Sequence, residues 1–529
     1  MVWYSATLPA SESPFGIEYD AKTNLTFMNT PPIQHVFVLM LENRSFDHML
    51  GFSGITGSDA VTAEPTQING LTGVETNQYD GTSYPAISPA DYAVPVDPPH
   101  EFPDVFLQLC GAGSTYQPGG AYAPVVNTGF VASYAAAGGA ASADPGRIMQ
   151  CFAPDQLPVL NALAREFALC DNWHASMPGP TWPNRFFVHA ASSSGLDHSP
   201  TTAEIVLWEA LSGFSFAGGS IYDLMNRNKV RWRLYAGDGF PMVAALKGIQ
   251  LTLVHPYHEF AQDVAASDYG VSYTFIEPSY NVLSDYKCST SQHPLDDVTR
   301  GEALIRATYR AIRNSPLWEK SLFILTWDEH GGFFDHAIPP PAIAPGDSHP
   351  GSDHNQYGFT FEQYGARVPA VVVSPWIPRN VVDHRIYDHT SVLATVEQMF
   401  GMPALTKRDA GANTLTPLLR LTDARTDAPL DLPAPADSQL SGCPPVNFES
   451  APTEGTLPGP AAATRPEDPV NEGNVAGVLH AVLRGDLALS PPDLRSKILA
   501  QFSAVRTRAE AVEYANCVLG KISAARGSG

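Results

Sequence analysis

Acidic and amide side chains follow two separate apolar runs of the sequence. Glu42 and Asn43 come shortly after one run, Asp328 and Glu329 come shortly after the other, and both runs are typical of buried strands. Because a parallel sheet binds its ligands at the carboxyl ends of its strands, these side chains should meet at one edge. Carboxylate and amide oxygens are the ligands that hard divalent cations prefer. The sequence therefore predicts a cation site at this edge.

A single hydroxyl lies in a stiff turn further along the chain. Thr181 is preceded by Pro180 and followed two residues later by Pro183. Threonine is also a favourable helix N-cap, and both interpretations hold together, because the positive field at a helix N-terminus favours a phosphate or an alkoxide. A cation beside Thr181 would make the hydroxyl a nucleophile near neutral pH. With the guanidinium of Arg185 available for a phosphoryl oxygen, the pattern predicts metal-assisted attack on a phosphate ester.

Alternating strand and helix patterns predict the elements that must position these groups. Strands are predicted at residues 34–41, 168–173, 230–235, 273–277 and 368–373, and helices at 157–167, 220–228, 299–314 and 390–400. Residues 52–150, rich in Gly, Pro, Ser and Ala, predict long loops and short strands over the rim. The expected fold class is α/β, a three-layer α/β/α sandwich with a mainly parallel sheet.

Composition changes divide the chain into four predicted parts. Residues 1–30 form an N-terminal arm and residues 31–425 a catalytic domain. Residues 426–471, rich in Pro and Ala, predict a linker or a strap lying on that domain. Residues 472–529 return to helical spacing, which predicts a small helical C-terminal appendage without catalytic groups.

Bulk properties exclude several classes of function. The net charge of −23 over 529 residues argues against a nucleic-acid partner and against electrostatic docking on anionic membranes. No run approaches the roughly 18 apolar residues of a membrane span, so at most peripheral membrane contact is expected. The six cysteines lack CxxC spacing, which argues against the usual zinc sites with thiolate ligands. The cysteines can be free thiols or form one to three disulfides, and the sequence does not decide between these alternatives.

The N-terminal sequence bears on localisation. It has no basic segment followed by an apolar one, as a secretory signal requires. The protein is therefore expected in the cytoplasm, or secreted or periplasmic if a leader has been removed. The oligomeric state stays open.

The motifs together resemble one known family. The segments around Glu42, Thr181 and Asp328 resemble the signature of the bacterial and plant non-specific phospholipase C and acid phosphatase family, which has an alkaline-phosphatase-like fold. The resemblance extends to residues 289–298, 368–376, 388–391 and 405–410, and covers about residues 30–420 in order. It implies a metal-dependent phosphoric ester hydrolase that acts through a phosphothreonine intermediate.

The resemblance also implies roles for individual residues. One divalent cation is held by Glu42, Asn43, Asp328, Glu329 and Thr181, and all-oxygen ligation favours calcium, magnesium or manganese, with zinc and iron left open. His100 and His293 match histidines that line the phosphate, where a protonated ring can protonate the departing alcohol. Four further side chains are expected to support the ligands or build a second cation site: Asn184, His336, Asp388 and His389. Asp388 has a second interpretation as the cap of the helix predicted at 390–400.

Several functions remain open at this point. Cleavage of phospholipids in the manner of a phospholipase C is favoured, because the segments around Thr181 and after residue 290 look closest to that branch. The alternatives are a phosphomonoesterase, a phosphoryl or headgroup transferase, and a silent binding protein, although no nucleophile or ligand is missing. The large C-terminal β region of the long bacterial enzymes is absent, which leaves recruitment to membranes open.

Overall fold

The fold is described from a computed structural model of the chain. The description covers residues 33–201, 213–347, 354–438, 442–448, 466–470 and 474–527. The arm expected at residues 1–30, and parts of the strap expected at 426–471, lie outside these ranges.

A ten-stranded sheet forms the centre of the molecule, with strands in the order β3-β2-β12-β6-β11-β10-β1-β9-β7-β8. Most of its neighbouring strands run parallel, which confirms the predicted α/β class with a mainly parallel sheet. The strands are β1 His35–Leu41, β2 Thr56–Asp59, β3 Pro65–Gln67, β6 Ala168–Cys170, β7 Trp232–Ala236, β8 Val254–Pro256, β9 Tyr273–Glu277, β10 Ser321–Trp327, β11 Ala370–Val373 and β12 Val381–Asp383. A separate hairpin pairs β4 Thr76–Tyr79 with β5 Thr82–Pro85.

The three central strands carry the predicted site. Every residue of β1 is buried, as expected of a strand covered by helices on both faces. β1 lies between β10 and β9 and runs parallel to both. The register pairs Leu41 with Trp327, so that the residues following these two strands leave the sheet side by side.

Helices occupy many of the connections between strands and also follow the last strand, β12. Those of the described ranges are Phe46–Leu50, Phe102–Cys110, Phe130–Ala136, Gly139–Ala143, Pro158–Glu166, Thr181–Ala190, Ile221–Asn228, Phe260–Ala265, Val298–Arg313, Thr390–Phe400, Lys407–Ala410, Asn474–Leu489, Arg495–Ala504 and Arg508–Gly527. The helices predicted from apolar spacing at 157–167, 220–228, 299–314 and 390–400 lie within a residue or two of these bounds. None of the described helices is both long and apolar enough to cross a membrane.

The region at 52–150 differs from the expectation of loops and short strands. It contains the short strands, but also helices at Phe102–Cys110, Phe130–Ala136 and Gly139–Ala143. These helices bury side chains in a second apolar cluster that includes Val105, Leu109, Phe130 and Val131. The alanines of the second and third helices weaken the apolar spacing there, whereas Phe102, Val105 and Leu109 have a helical spacing that the sequence analysis missed.

The helix Asn474–Leu489 is buried against the part of the chain that forms the central sheet. Its Val475 and Leu479 belong to the same apolar core as the central strands. Gly477 lies directly against the indole of Trp182, because a Cβ at this position would meet that ring. Asn474 Nδ2 donates a hydrogen bond to the hydroxyl of Tyr286 (3.0 Å). The helix therefore packs beside the segment that contains Thr181.

The described part of the 426–471 segment lies along the helix Val298–Arg313. Arg306 pairs with Asp431 (2.8 Å), and Arg313 Nη2 donates to the carbonyl oxygen of Ala428 (2.8 Å). A disulfide joins Cys288 to Cys443 across 155 residues of sequence. The segment is thereby fixed to the loop that precedes His293.

Candidate active site

The ends of β1 and β10 bring the two predicted polar pairs together. The backbone N–H of Asn43 donates to Asp328 Oδ1 (3.1 Å), and the backbone N–H of Arg44 donates to the carbonyl oxygen of Glu329 (3.0 Å). Asn43 adopts a left-handed backbone conformation with φ of 60°, which asparagine tolerates better than most residues. Glu42, Asn43, Asp328 and Glu329 are all fully buried. The four side chains predicted to bind a cation therefore lie at one edge of the sheet.

Thr181 lies beside this group at the start of the helix Thr181–Ala190. It is the first helical residue, and Pro180 takes the N-cap position that the sequence suggested for Thr181. Its hydroxyl accepts a hydrogen bond from Asn43 Nδ2 (3.4 Å) and is fully buried. Asn184 holds the turn, because its amide bonds to the backbone of Met177, Gly179 and Pro180. The hydroxyl is therefore positioned on a fixed turn next to the acidic group.

Several oxygens of this group have no hydrogen-bond partner. Both carboxylate oxygens of Glu42, Oδ1 of Asn43 and Oε1 of Glu329 are buried and unpartnered. Asp328 differs, because Oδ1 accepts from two backbone N–H groups and Oδ2 accepts from Arg185 Nε (2.8 Å). Three buried carboxylates face the guanidinium of Arg185 and the ring of His100, so that negative groups outnumber positive ones. The donor set and the charge both fit a divalent cation.

The protonation of the acidic residues follows from their burial. Burial and the charge of Asp328 raise the pKa of Glu42 well above its ordinary value. Burial also raises the pKa values of Asp328 and Glu329, although Arg185 opposes the shift at Asp328 and His100 opposes it at Glu329. Raised carboxyl pKa values mean that Arg185 and His100 do not offset the cost of burying the ionised forms, and a bound cation would supply further positive charge.

Arg185 reaches the acidic group from the helix of Thr181. Its Nε pairs with Asp328 Oδ2 (2.8 Å), and its Nη2 donates to the carbonyl oxygen of Leu41 (3.0 Å). Nη1 is buried and has no partner. One donor of the guanidinium thus stays available for an anionic ligand.

His100 is half-buried beside Asn43. Its Nδ1 donates to the carbonyl oxygen of Pro98 (2.7 Å), and its Nε2 lies 3.4 Å from Asn43 Nδ2. Burial opposes a charge on this ring, yet the carboxylates of Glu329 and Asp97 raise the pKa of His100 to about 10. The ring is therefore protonated beside the acidic group.

His293 lies deeper and is neutral. The backbone N–H of Leu295 donates to Nδ1 (3.3 Å), so the proton is on Nε2, which faces Asp97 Oδ2 at 3.6 Å. Tyr286 stacks on the ring with centroids 3.3 Å apart. Burial, His100 and Arg44 together lower the pKa of His293 well below its ordinary value.

Asp388, a candidate for a second cation site, is bound by other groups. Its Oδ2 accepts from the hydroxyl of Ser176 (2.9 Å) and pairs with Arg408 Nη1 (3.4 Å). Its Oδ1 accepts from the hydroxyl of Thr390, at the start of the helix Thr390–Phe400. A guanidinium thus already balances this carboxylate.

His389 binds the backbone of Asp328. Trp173 Nε1 donates to His389 Nδ1 (3.3 Å), which places the ring proton on Nε2, and Nε2 donates to the backbone oxygen of Asp328 (2.6 Å). Burial lowers the pKa of His389 to about 4, so the ring is neutral. The structure therefore places His389 beside the predicted ligands, fixing the backbone of one of them.

His336 lies in a separate ion-pair network. Its Nδ1 donates to Asp47 Oδ2 (2.7 Å), and Arg367 bonds to both Asp47 and Asp335 (2.9 Å each). Within the described ranges, two groups of three acidic or histidine side chains have ligand atoms within 4.8 Å of one another: Asp47, Asp335 and His336, and His255, Glu259 and Asp263. His336, suggested for a second cation site, belongs to the first group, whereas Glu42, Asp328 and Glu329 belong to neither. Arg367 supplies the positive charge of the first group.

Three residues near the site were missed by the sequence analysis. Arg44 donates from Nε to the carbonyl oxygen of Gln292 (2.7 Å), and so holds the loop before His293. Asp97 faces His293, and Tyr280 lies against the guanidinium of Arg185. Tyr280 follows the carboxyl end of β9, so the rule that located Glu42 could have located it.

Comparison with known proteins identifies the family. The sequence model of the Phosphoesterase family matches residues 33–403, which include all of the site described above. The chain belongs to the phosphoesterase family. As a member it is a phosphoric ester hydrolase, which agrees with the chemistry expected of the site.

Curated relatives of this phosphoesterase carry more specific names. Non-specific phospholipase C6 of Arabidopsis thaliana is 34% identical over 423 residues, covering 76% of this chain and 75% of its own length. Non-specific phospholipase C3 of the same plant is 33% identical, with 76% of each chain covered. Phospholipase C A of Mycobacterium tuberculosis is 26% identical, covering 70% of this chain and 73% of its own length. A solved alkaline phosphatase superfamily protein from Vibrio parahaemolyticus matches with a TM-score of 0.29 and 13% identity, covering 50% of this chain and 63% of its own.

Proposed function

We propose that this phosphoesterase is a phospholipase C-type enzyme that cleaves the bond between glycerol and the phosphorylated headgroup. The observation that supports this most directly is the buried Thr181 hydroxyl, hydrogen-bonded to Asn43 beside the unpartnered oxygens of Glu42 and Glu329. The names of the plant and mycobacterial relatives support the choice of a phospholipid over other phosphate esters.

Thr181 is the nucleophile in this proposal. Its oxygen attacks phosphorus in line, a bond forms between Thr181 and phosphorus, and the bond from phosphorus to the glycerol oxygen breaks. The phosphorylated headgroup stays on Thr181 until water cleaves it with the reverse geometry. The Asn184 turn keeps the hydroxyl at the helix N-terminus, where the exposed N–H groups favour an anionic ligand.

One divalent cation completes the proposed site. Glu42, Asn43 and Glu329 would hold it through their unpartnered oxygens, with Asp328 and the Thr181 oxygen as further ligands. When bound, the cation stabilises charge on the phosphoryl group and lowers the pKa of the Thr181 hydroxyl. The oxygen-only donor set favours calcium, magnesium or manganese.

His100 is the better of the two histidine candidates for the proton donor. Its Nε2 approaches Asn43 within 3.4 Å, whereas His293 Nε2 faces Asp97 instead. The raised pKa of His100 keeps a proton available for the departing glycerol oxygen. His293 then holds the wall of the site through its stack with Tyr286.

The experiment compares substrates and variants after metal has been removed and restored. Phosphatidylcholine, sphingomyelin and p-nitrophenyl phosphate are offered to wild type with added calcium, magnesium or manganese. We expect diacylglycerol release from phosphatidylcholine, its loss after chelation, and its recovery with one of these ions. A preference for p-nitrophenyl phosphate would instead assign a phosphomonoesterase, and headgroup transfer to an added alcohol would assign a transferase.

Substitution of Thr181 tests the nucleophile. Thr181→Val removes the hydroxyl and keeps the branched shape, and we expect turnover to fall by at least about a thousandfold with unchanged metal content. Thr181→Ser, the matched control, should retain part of the activity and give a phosphorylated residue 181 after acid quenching. Near-normal turnover in Thr181→Val would refute the phosphothreonine mechanism.

A further inference from the structure

Tyr280 is held rigidly at the carboxyl end of a central strand. It follows β9 by three residues, and β9 is the direct neighbour of β1, which leads to Glu42 and Asn43. The backbone N–H of Tyr280 donates to Asp238 Oδ2 (2.6 Å). The position therefore belongs to the same edge of the sheet as the predicted ligands.

Among the described residues, the Tyr280 hydroxyl is one of three buried tyrosine hydroxyls without a hydrogen-bond partner, the others being those of Tyr122 and Tyr273. The side chain is 1% exposed, and its hydroxyl has no hydrogen-bond partner. A buried tyrosine hydroxyl usually finds one, as Tyr257 does with Thr308 (2.7 Å) and Tyr286 does with Asn474 (3.0 Å). An unpartnered buried donor at this place needs an explanation.

The ring of Tyr280 lies against Arg185. The guanidinium carbon of Arg185 is 5.0 Å from the ring centroid, and Nη1 of the same guanidinium is also buried and unpartnered. Besides burial, the charges that act most strongly on the Tyr280 hydroxyl are those of Arg185, Glu277 and Glu42. The side chains that carry these two free donors are thus in contact, and the charge of Glu42 acts on both of them.

We propose that Tyr280 is a catalytic residue whose hydroxyl, together with Arg185 Nη1, donates hydrogen bonds to the non-bridging oxygens of the scissile phosphate. The inference rests on the proposed function, since it names a further group of the same site. Donors that are fixed before the reaction stabilise the charge of the transition state without reorganisation. Free acceptors on one side would bind the cation, and free donors on the other side would bind the phosphate.

A purely structural role does not account for the hydroxyl. A phenylalanine would make the same ring contact with Arg185 and would not bury an unpaired polar atom. The variant Tyr280→Phe therefore removes the proposed donor and keeps the packing. Tyr273→Phe is a matched control, because the Tyr273 hydroxyl is equally buried and unpartnered but lies at the opposite end of β9.

The test uses the full chain, loaded with its best metal, and a soluble phosphodiester, p-nitrophenyl phosphorylcholine. For Tyr280→Phe we expect a fall in kcat of about 10- to 100-fold, little change in KM, and weaker inhibition by inorganic orthovanadate by a similar factor. Tyr273→Phe should stay within about twofold of wild type, a change too small to reflect a lost hydrogen bond. Metal content and thermal midpoint should be unchanged in both.

Two results would overturn the role of Tyr280. One is wild-type kcat and orthovanadate inhibition in Tyr280→Phe, and the other is a loss of activity that comes with a lower thermal midpoint. The parallel variant Thr181→Val separates this inference from the proposed function. An active Tyr280→Phe beside an inactive Thr181→Val would refute only the hydroxyl donor, whereas an active Thr181→Val would refute the phosphothreonine mechanism itself.

Discussion

Gly477 offers a direct test of the contact between the C-terminal helices and the segment that contains Thr181. A Cβ at this position would lie 2.6 Å from Nε1 of Trp182, and closer still to two carbons of the same ring. Trp182 is fully buried and follows Thr181 directly, so the ring cannot turn away into solvent. Gly477→Ala therefore has to displace either the helix Asn474–Leu489 or Trp182, the residue next to Thr181.

The magnitude follows from two opposing effects. Alanine in place of a helical glycine contributes about 1 kcal/mol to stability, and overpacking a rigid core costs about 1–3 kcal/mol. We expect a net loss of up to about 2 kcal/mol for Gly477→Ala. Gly520 is the matched control, because it lies in the helix Arg508–Gly527 and a Cβ there would meet nothing within 4 Å. Gly520→Ala should therefore gain up to about 1 kcal/mol.

The assay combines urea denaturation with turnover of a soluble phosphodiester. Gly477→Ala should unfold at lower urea than wild type and lose kcat at constant metal content, while Gly520→Ala should unfold later at normal kcat. If both alanines stabilised the protein equally and left kcat unchanged, the close packing of Gly477 on Trp182 would be refuted.

Two further substitutions test buried charges away from the reacting groups. Burial and the charge of Asp409 raise the pKa of Glu397 to about 9, so the folded state retains a proton that the unfolded state loses above its ordinary pKa of 4.5. The free energy of unfolding should therefore fall as pH rises from about 5 to about 9, by at most about 1.4 kcal/mol per pH unit. In urea titrations at several pH values, Glu397→Gln should show a smaller fall than wild type. An equal dependence on pH in the two proteins would contradict this. Arg367→Met leaves the buried carboxylates of Asp47 and Asp335 without their guanidinium. We expect the free energy of unfolding to fall by about 3–5 kcal/mol in urea titrations. A wild-type urea midpoint would show that this network contributes little to stability.

Elements with a simple pattern could be predicted from the sequence. The apolar runs of β1 and β10 and the spacing in the helix Thr390–Phe400 reflect burial, which is a local property of a strand or helix. The meeting of Glu42 with Asp328 followed from one rule on parallel sheets. The direction of β11, antiparallel to its neighbours, could not be predicted, because a buried run has the same pattern in both directions.

Contacts between residues far apart in the sequence could not be predicted from sequence patterns. Asn474 reaches Tyr286 from 188 residues away, and nothing in either segment indicates the other. Asp388 next to a predicted helix suggested a cap or a cation ligand, but its charge partner Arg408 is visible only in three dimensions. The types of side chain in the site were therefore predictable, whereas their partners depended on tertiary packing.

The position of β1 in the sheet has a consequence for biosynthesis. Its neighbours β9 and β10 begin at Tyr273 and Ser321, so the ribosome must add more than two hundred residues before the first central strand can pair. At 5–20 residues per second this delay is on the order of ten to fifty seconds. Throughout that interval the nascent chain exposes seven consecutive residues that are buried in the finished enzyme. Slow translation or a shortage of chaperones should therefore lower the yield of this enzyme through aggregation of incomplete chains, before any effect on the finished protein.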